Sequence, residues 1–123
     1  MTPTKKTLVL GASPKPERYS NKAVRLLGKF GHPVVAVGLR DAVIEDVPII
    51  RPEEVKEKDI HTVTLYLSPE NQKAYYDFIL SLQPKRVIFN PGTENPELKK
   101  LLEEKGIETV ENCTLVMLRS GLF

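Results

Sequence analysis

The sequence predicts an α/β fold, a three-layer, doubly wound parallel sheet of about five strands with helices on both faces. Short apolar runs, such as residues 7–10 and 34–37, alternate along the chain with amphipathic segments. The connections between them are short and rich in Gly, Pro, Ser and Asn. The length of 123 residues suits one hydrophobic core, so we expect a single domain over residues 1–123.

The first half of the chain predicts three strands and one helix. The first strand ends at Gly11, and its uninterrupted apolar run is typical of a strand buried on both faces. Ser20 is expected to cap a helix that stops at Gly31. Residues 34–37 form a second, β-branched strand, and the less regular stretch around Val47 predicts a brief edge strand.

The second half repeats the alternation of strand and helix. Residues 62–67, 87–89 and 107–110 predict further strands. A helix is expected after each of them, with a capping side chain at its start: Ser68, Asn95 and Asn112. Right-handed crossovers between parallel strands then favour the strand order 3-2-1-4-5.

Composition and charge exclude several classes of function. A net charge of +2 is too small to indicate nucleic acid or a membrane surface as the partner. No apolar stretch approaches the length of a membrane span, and the start of the chain lacks the apolar core of a signal peptide. Cys113 is the single cysteine, so no internal disulfide can form, and we expect a cytoplasmic protein. No Cys or His cluster has the spacing of metal ligands.

The loop after the first strand is the strongest candidate for a ligand site, because ligands bind this fold at the carboxyl ends of the strands. Gly11 and Ala12 permit close backbone approach. Ser13 and Ser20 offer hydroxyls, and Arg18 offers a cation. We expect the amides after Gly11 and the amino end of the following helix to converge on a phosphate. The alternative is a plain connection, but the length and polarity of the loop favour phosphate.

The end of the second strand separates candidate cofactors. A site for NAD usually carries an acid there, whereas this chain has Arg40. A cation favours an additional ribose phosphate, which coenzyme A and NADP both carry. The alternative, a solvated surface arginine, stays open.

Two further loops fall at the same edge of the predicted sheet. Asn90, Pro91 and Gly92 follow a strand and either contact a ligand or form a plain turn. Ser68 and Pro69 are expected mainly to start a helix, with a secondary role in lining the site. No nucleophilic triad emerges from these residue types, which favours a binding protein over an enzyme.

The chain resembles the CoA-binding domain family, which is related to the N-terminal domain of the succinyl-CoA synthetase α subunit. The resemblance runs from Thr7 to about Arg119 and is carried mainly by residues 8–14 and 16–21. It implies a Rossmann-like fold with coenzyme A as the ligand, NADP being less favoured. It also implies that the CoA pyrophosphate site consists of Gly11, Ala12, Ser13, Arg18, Ser20 and Asn21.

The same resemblance places the remaining candidate residues. Arg40 stands where family members commonly carry a lysine that meets the ligand's phosphate. The adjacent loops would contribute Ser68, Pro69, Asn90, Pro91 and Gly92. The chain departs from the family pattern in three places: Gly38-Leu39 replaces Asn-Pro, Tyr66-Leu67 replaces Phe-Arg, and residues 88–92 replace Trp-x-Gln-x-Gly.

The resemblance and the residues together lead to one functional hypothesis and two alternatives. We expect a stand-alone, non-catalytic CoA-binding or regulatory module. The first alternative is an enzyme that uses NADP or acyl-CoA, with a catalytic group among Cys113, Tyr66 and Asn90. The second, less favoured, is an interaction domain whose pocket has lost its ligand. Apolar residues near the end, Leu118 and Phe123 among them, indicate a docked tail or a contact with a second copy or partner chain.

Overall fold

The computed structural model describes residues 3–123, which form a seven-stranded sheet between two layers of helices. The strands are β1 (Thr7–Leu10), β2 (Val34–Val37), β3 (Ala42–Ile44), β4 (Val47–Ile50), β5 (Thr62–Leu65), β6 (Arg86–Phe89) and β7 (Glu108–Glu111). The helices are α1 (Tyr19–Lys29), α2 (Pro69–Gln72), α3 (Tyr76–Leu82), α4 (Pro96–Glu104) and α5 (Thr114–Ser120). Two single 3-10 turns cover Pro52–Glu54 and Lys73–Tyr75.

The strand order is β3-β4-β2-β1-β5-β6-β7, and every neighbouring pair is parallel except β3 with β4. The five central strands therefore have the predicted order. The predicted number of about five strands was too small, because the sheet has seven. The strand that the sequence did not predict, β3, forms a hairpin with β4 through Glu45 and Asp46. Glu45 adopts a φ of 53°. The turn contains no glycine, so the sequence carries no signal for this hairpin.

The two faces of the sheet carry separate cores. Leu8 and Leu10 point to one face, where they pack with residues of α3 and α4 such as Ile79 and Leu98. Val9 points to the other face, where it packs with residues of α1 and α5. β1 is buried at every residue, as its uninterrupted apolar run predicts. The three-layer architecture is confirmed.

The caps of two helices differ from the predicted ones, by two residues at α1 and by one residue at α5. α1 is capped by the backbone of Arg18, so Ser20 lies inside the first turn and is buried. The shift occurs because a tight turn, in which the Arg18 amide donates to the Lys15 carbonyl at 3.1 Å, delivers the chain to the helix early. α5 begins after Cys113 instead of Asn112. Asn112 instead accepts the Cys113 amide at 2.7 Å, a local turn before the helix.

The other two capping predictions differ in outcome. Asn95 caps α4, since its side-chain oxygen accepts the amide of Leu98 at 3.2 Å. Ser68 occupies the capping position of α2, but its hydroxyl makes no capping hydrogen bond. The helix predicted after Ser68 is also interrupted, because Lys73–Tyr75 adopts a 3-10 turn between α2 and α3.

The chain after α5 folds back onto the amino ends of the strands. The Phe123 ring lies 4.5 Å from the guanidinium carbon of Arg86 and 4.9 Å from the ring of His32. Leu118 is buried, whereas Leu122 is exposed. The prediction of a docked tail is therefore confirmed for Leu118 and Phe123.

Candidate functional site

The loop between β1 and α1 is fixed at its base by β2. The amides of Gly11 and Ala12 both donate to the carbonyl of Val37, each at 2.9 Å. Neither amide is therefore free to bind a ligand, and for Ala12 this corrects the prediction that the amides after Gly11 face a phosphate. The correction has a simple cause: the loop turns across the end of β2, whose last carbonyl offers two acceptor sites.

Two glycines allow this loop to approach its neighbours closely. A Cβ atom on Gly11, whose φ is +96°, would lie 3.0 Å from both the Tyr66 carbonyl oxygen and the Leu67 side chain. A Cβ atom on Gly38 would lie 2.3 Å from the Ala12 carbonyl oxygen. Gly11 therefore permits close contact between loops, and the close approach of its backbone to a ligand stays a prediction.

The amino end of α1, unlike the base of the loop, has backbone amides that are not used in hydrogen bonds within the protein. No residue from 3 to 123 accepts a hydrogen bond from the amides of Tyr19, Ser20 or Asn21. The Ser20 hydroxyl is likewise without a hydrogen-bond partner in that part of the chain. Because unpaired amides and the helix dipole concentrate positive potential at this point, the amino end of α1 favours the binding of an anion.

Two adjoining cavities open at the carboxyl edge of the sheet. The larger, of about 420 Å³, is lined by Gly11, Ser13, Arg18, Tyr19, Ser20, Tyr66, Leu67, Ser68, Pro91, Gly92 and Thr93. The smaller, of about 180 Å³, is lined by Gly11, Ala12, Ser13, Pro14, Gly38, Leu39, Arg40, Leu67 and Tyr75. They share the wall formed by Gly11, Ser13 and Leu67, so we treat them as one cleft that runs from Arg18 to Arg40.

Three of the predicted site residues do not line this cleft. Asn21 holds the first loop from below, because its amide donates to the Ser13 carbonyl at 2.9 Å and its oxygen accepts from Arg25. Pro69 starts α2 behind the cleft wall. The third, Asn90, is buried beneath the loop that it begins.

The Asn90 side chain makes three hydrogen bonds inside the protein. Its amide nitrogen donates to Thr64 Oγ1 at 2.7 Å and to the Leu65 carbonyl at 2.8 Å. Its oxygen accepts the amide of Thr114 at 2.8 Å. It thus ties β5, β6 and the start of α5 together, and Pro91 and Gly92 reach the cleft in its place.

Several cleft residues were not among those predicted to bind the ligand. Tyr66 and Leu67 follow β5 directly, and Tyr75 lies in the 3-10 turn after α2. Leu67 belongs to the loop that was expected to line the site in a secondary role. Tyr66 was named only as a candidate catalytic group and could have been predicted to line the site, because it occupies the carboxyl end of a central strand. Tyr75 could not, since the break between α2 and α3 that positions it carries no sequence signal.

Tyr66 is unusual among the cleft residues because its hydroxyl is turned away from solvent. No residue from 3 to 123 makes a hydrogen bond of good geometry with this oxygen. Burial raises the pKa of Tyr66 to about 12, and the nearby hydroxyls of Thr114 and Thr64 only partly offset this increase. The phenol is therefore neutral at physiological pH.

The comparison with known proteins agrees with this geometry. The family model described as CoA binding domain matches residues 5–119. The chain belongs to the CoA-binding domain family. Within the part of the chain that the structure describes, no helix of this CoA-binding domain is long and apolar enough to cross a bilayer. The same residues contain no cluster of three or more His, Cys, Asp or Glu placed to hold a metal ion.

Solved structures show the same fold. A crystal structure described as that of an uncharacterized protein is 50% identical, with a TM-score of 0.94, over 99% of this chain and 100% of that one. A protein from Thermus thermophilus is 26% identical, with a TM-score of 0.85, over 98% of this chain and 91% of that one. A hypothetical protein from Pyrococcus horikoshii OT3 is 28% identical, with a TM-score of 0.85, over 97% and 84% of the two chains. The chain matches none of the curated proteins.

Proposed function

We propose that this CoA-binding domain binds coenzyme A in the cleft between Arg18 and Arg40 and acts as a binding or regulatory module without chemistry of its own. The observation that carries the proposal is the amino end of α1, where three amides and the Ser20 hydroxyl lack partners among residues 3–123. A diphosphate supplies the acceptors that these donors need. The cleft thus fits the most highly charged part of the coenzyme.

The larger cavity would hold the pyrophosphate. Ser13 and Ser20 line it on one side, and the exposed Arg18 guanidinium stands at its rim. Hydrogen bonds from charged donors to phosphate are the stronger kind, and the helix dipole adds to them. The backbone around Gly92 closes the opposite wall. These residues bind and orient a phosphate without reacting with it.

The smaller cavity would hold the ribose phosphate and the base. Arg40 lines it and forms no ion pair with any residue from 3 to 123, whereas its neighbour Asp41 lies 4.0 Å from Arg51. The apolar side chains of Leu39 and Leu67, with the ring of Tyr75, complete the lining. A cation beside apolar surface suits a phosphorylated ribose that carries an aromatic base.

The geometry gives little support to the alternative that the protein is an enzyme. Asn90 and Tyr66, two of the three candidate catalytic groups, approach the same hydroxyl pair of Thr64 and Thr114. The Asn90 side chain is buried and makes three internal hydrogen bonds, however, and the Tyr66 hydroxyl is buried and neutral. A general acid or base must reach the proton that it transfers, and neither the Asn90 amide nor the Tyr66 hydroxyl is exposed to the cleft.

Thermal shift and isothermal titration calorimetry with CoA, acetyl-CoA, NADP and NAD test the proposal. A ligand that binds only the native state raises the melting temperature, and we expect CoA to do so most strongly. Arg18→Ala should weaken CoA binding by about tenfold or more, since a charge-assisted hydrogen bond contributes about 1.5–3 kcal/mol. Arg40→Ala should remove the preference for CoA over a ligand that lacks the ribose phosphate.

The control is Lys15→Ala, which removes an exposed cation from the same loop but lines neither cavity. It should leave CoA binding unchanged. Stronger stabilisation by NADP than by CoA would favour the alternative of an enzyme. No stabilisation by any nucleotide, or equal binding by the wild type and Arg18→Ala, would overturn the proposed site.

A further inference from the structure

Gln72, the last residue of α2, is a polar side chain that is 0% exposed. It lines neither cavity of the cleft, so a ligand held there does not touch it. Burying an amide is costly unless its polar atoms find hydrogen-bond partners inside the protein. The partners of Gln72 therefore indicate what its burial achieves.

The Gln72 side chain joins two loops of the cleft wall. Its Nε2 donates to the Leu67 carbonyl and to the Thr93 carbonyl, each at 2.8 Å. Leu67 follows β5 and lines both cavities, whereas Thr93 follows β6 and lines the larger one. Among residues 3–123, no hydrogen bond runs directly between residues 66–68 and residues 91–94. Beyond the ends of β5 and β6, the two loops are thus linked by hydrogen bonds through Gln72.

The orientation of this amide is fixed by Asn95. The Asn95 Oδ1 accepts the backbone amide of Leu98 at 3.2 Å, so its Nδ2 is the donor to Gln72 Oε1 at 2.9 Å. With the Gln72 oxygen occupied in this way, both protons of its Nε2 face the two carbonyls. A rotation of the amide would lose all three hydrogen bonds, so the link between the loops has one geometry.

The effect of Gln72 extends to the rest of the cleft through its neighbours. The Leu67 side chain lies 3.0 Å from the position of a Cβ atom on Gly11, so it packs directly against the first loop. Tyr75, three residues after Gln72, ends the 3-10 turn that follows α2 and lines the smaller cavity. The anchoring of Gln72 therefore bears on the walls of both cavities.

We propose that Gln72 is a positioning residue of the cleft, which sets the spacing of the Leu67 and Thr93 loops and thereby the affinity for the ligand. The inference rests on the proposed binding of CoA. Gln72 offers no group to the coenzyme and acts only through the wall residues that it holds. A wall that is already in place does not have to be ordered when the ligand binds, so less of the interaction energy is lost.

Isothermal titration calorimetry with CoA on Gln72→Met tests the inference. Methionine has a similar length and fills the space, but it donates no hydrogen bond to the two carbonyls. The measurement is made where circular dichroism shows the variant to be fully folded, so that lower stability alone does not change the affinity. We expect the dissociation constant for CoA to rise about fivefold or more.

Leu102→Ala is the matched control. Leu102 is a fully buried residue of α4 that lines neither cavity, and its truncation destabilises the same core through lost packing. Folded Leu102→Ala should bind CoA as the wild type does. A Gln72→Met variant with wild-type affinity, or an equal loss of affinity in Leu102→Ala, would overturn the positioning role.

Nuclear magnetic resonance on the wild type gives a second test that needs no substitution, which decides the matter if Gln72→Met does not fold. The side-chain amide protons of Gln72 should exchange slowly and should shift when CoA is added, although the ligand does not reach them. Those of Asn71, exposed on the same helix, should not shift. Gln72 signals that stay unchanged while CoA binds would refute the inference and leave the proposed function intact. A wild type that does not bind CoA would overturn the proposed function, and the inference with it.

Discussion

The loop after β1 and the loop after β6 have similar compositions and opposite hydrogen-bonding states. Both lie at the carboxyl edge of the sheet and carry Gly, Pro and small polar residues. At the end of the first loop, the amides of Tyr19 and Ser20 lack acceptors among residues 3–123. In the second, Thr93 donates to the Asn90 carbonyl through both its amide and its hydroxyl, at 2.9 and 2.7 Å.

This difference indicates that the first loop is suited to binding a ligand and that the second loop stabilises the fold. Gln72 and Asn95 extend the internal network of the second loop, since Asn95 donates to Gln72 at 2.9 Å and Gln72 donates to the Thr93 carbonyl at 2.8 Å. Polar groups that are satisfied internally stabilise the fold and offer little to a ligand. Substitutions in the second loop should therefore affect stability first, and those in the first loop should affect ligand binding first.

Asn90→Ala should have the largest effect on stability. It removes three hydrogen bonds from a buried site and leaves the Thr114 amide and the Leu65 carbonyl without those partners. We expect a loss of about 3 kcal/mol or more in the free energy of unfolding, measured with urea. The matched control is Asn112→Ala, at an exposed asparagine, which should cost less than about 1 kcal/mol. Similar losses in the two variants would contradict the supporting role of Asn90.

Gly11→Ala and Gly92→Ala compare the two loops directly. The glycines have φ values of +96° and +92°, so both alanines pay a similar strain of about 1–2 kcal/mol. The added methyl group at position 11 meets the Tyr66 carbonyl at 3.0 Å, whereas at position 92 it meets nothing within 4 Å. Gly11→Ala should therefore cost at least about 1 kcal/mol more in urea unfolding. Equal costs would mean that the contact between the first loop and Tyr66 is looser than the distances show.

Tyr66→Phe should have the smallest effect at neutral pH, within about 1 kcal/mol, because the lost hydroxyl has no well-formed hydrogen bond. The wild type and Tyr66→Phe should differ in stability at alkaline pH. The pKa of Tyr66 is about 12 in the folded protein and 10.0 ordinarily, so the unfolded chain loses this proton first. Wild-type stability should then fall as pH rises from about 10 towards about 12, and more steeply than that of Tyr66→Phe. Parallel pH profiles of the two unfolding free energies would refute the burial of the phenol.

Much of the fold follows from the pattern of apolar runs. The buried strands β1, β2, β5 and β6 and the order of the central strands agree with that pattern, since each is a continuous apolar or β-branched run between turn residues. The hairpin strand β3 does not, because three residues are too few for a periodic signal. Helix starts were misplaced by two residues at α1 and by one residue at α5, where turns before the helix decide where it begins.

The candidate site was predictable in position but not in the orientation of its groups. The rule that ligands bind at the carboxyl ends of strands located the loops with Ser13, Arg18 and Arg40. Which polar groups remain unpaired depends on contacts between distant segments, such as Asn90 with Thr114. Composition does not report such contacts, so Asn21 and Asn90 were expected in the cleft although they lie beneath it.

The double acceptor at the Val37 carbonyl has a consequence for how the cleft would work. With Gly11 and Ala12 both held there, the base of the loop is fixed by the protein's own hydrogen bonds. A coenzyme bound in the proposed site would then cost the protein little conformational entropy, and the flexible coenzyme would bear most of that cost. The protein would therefore present a preformed binding site, whose first loop is held in place by hydrogen bonds to strand β2.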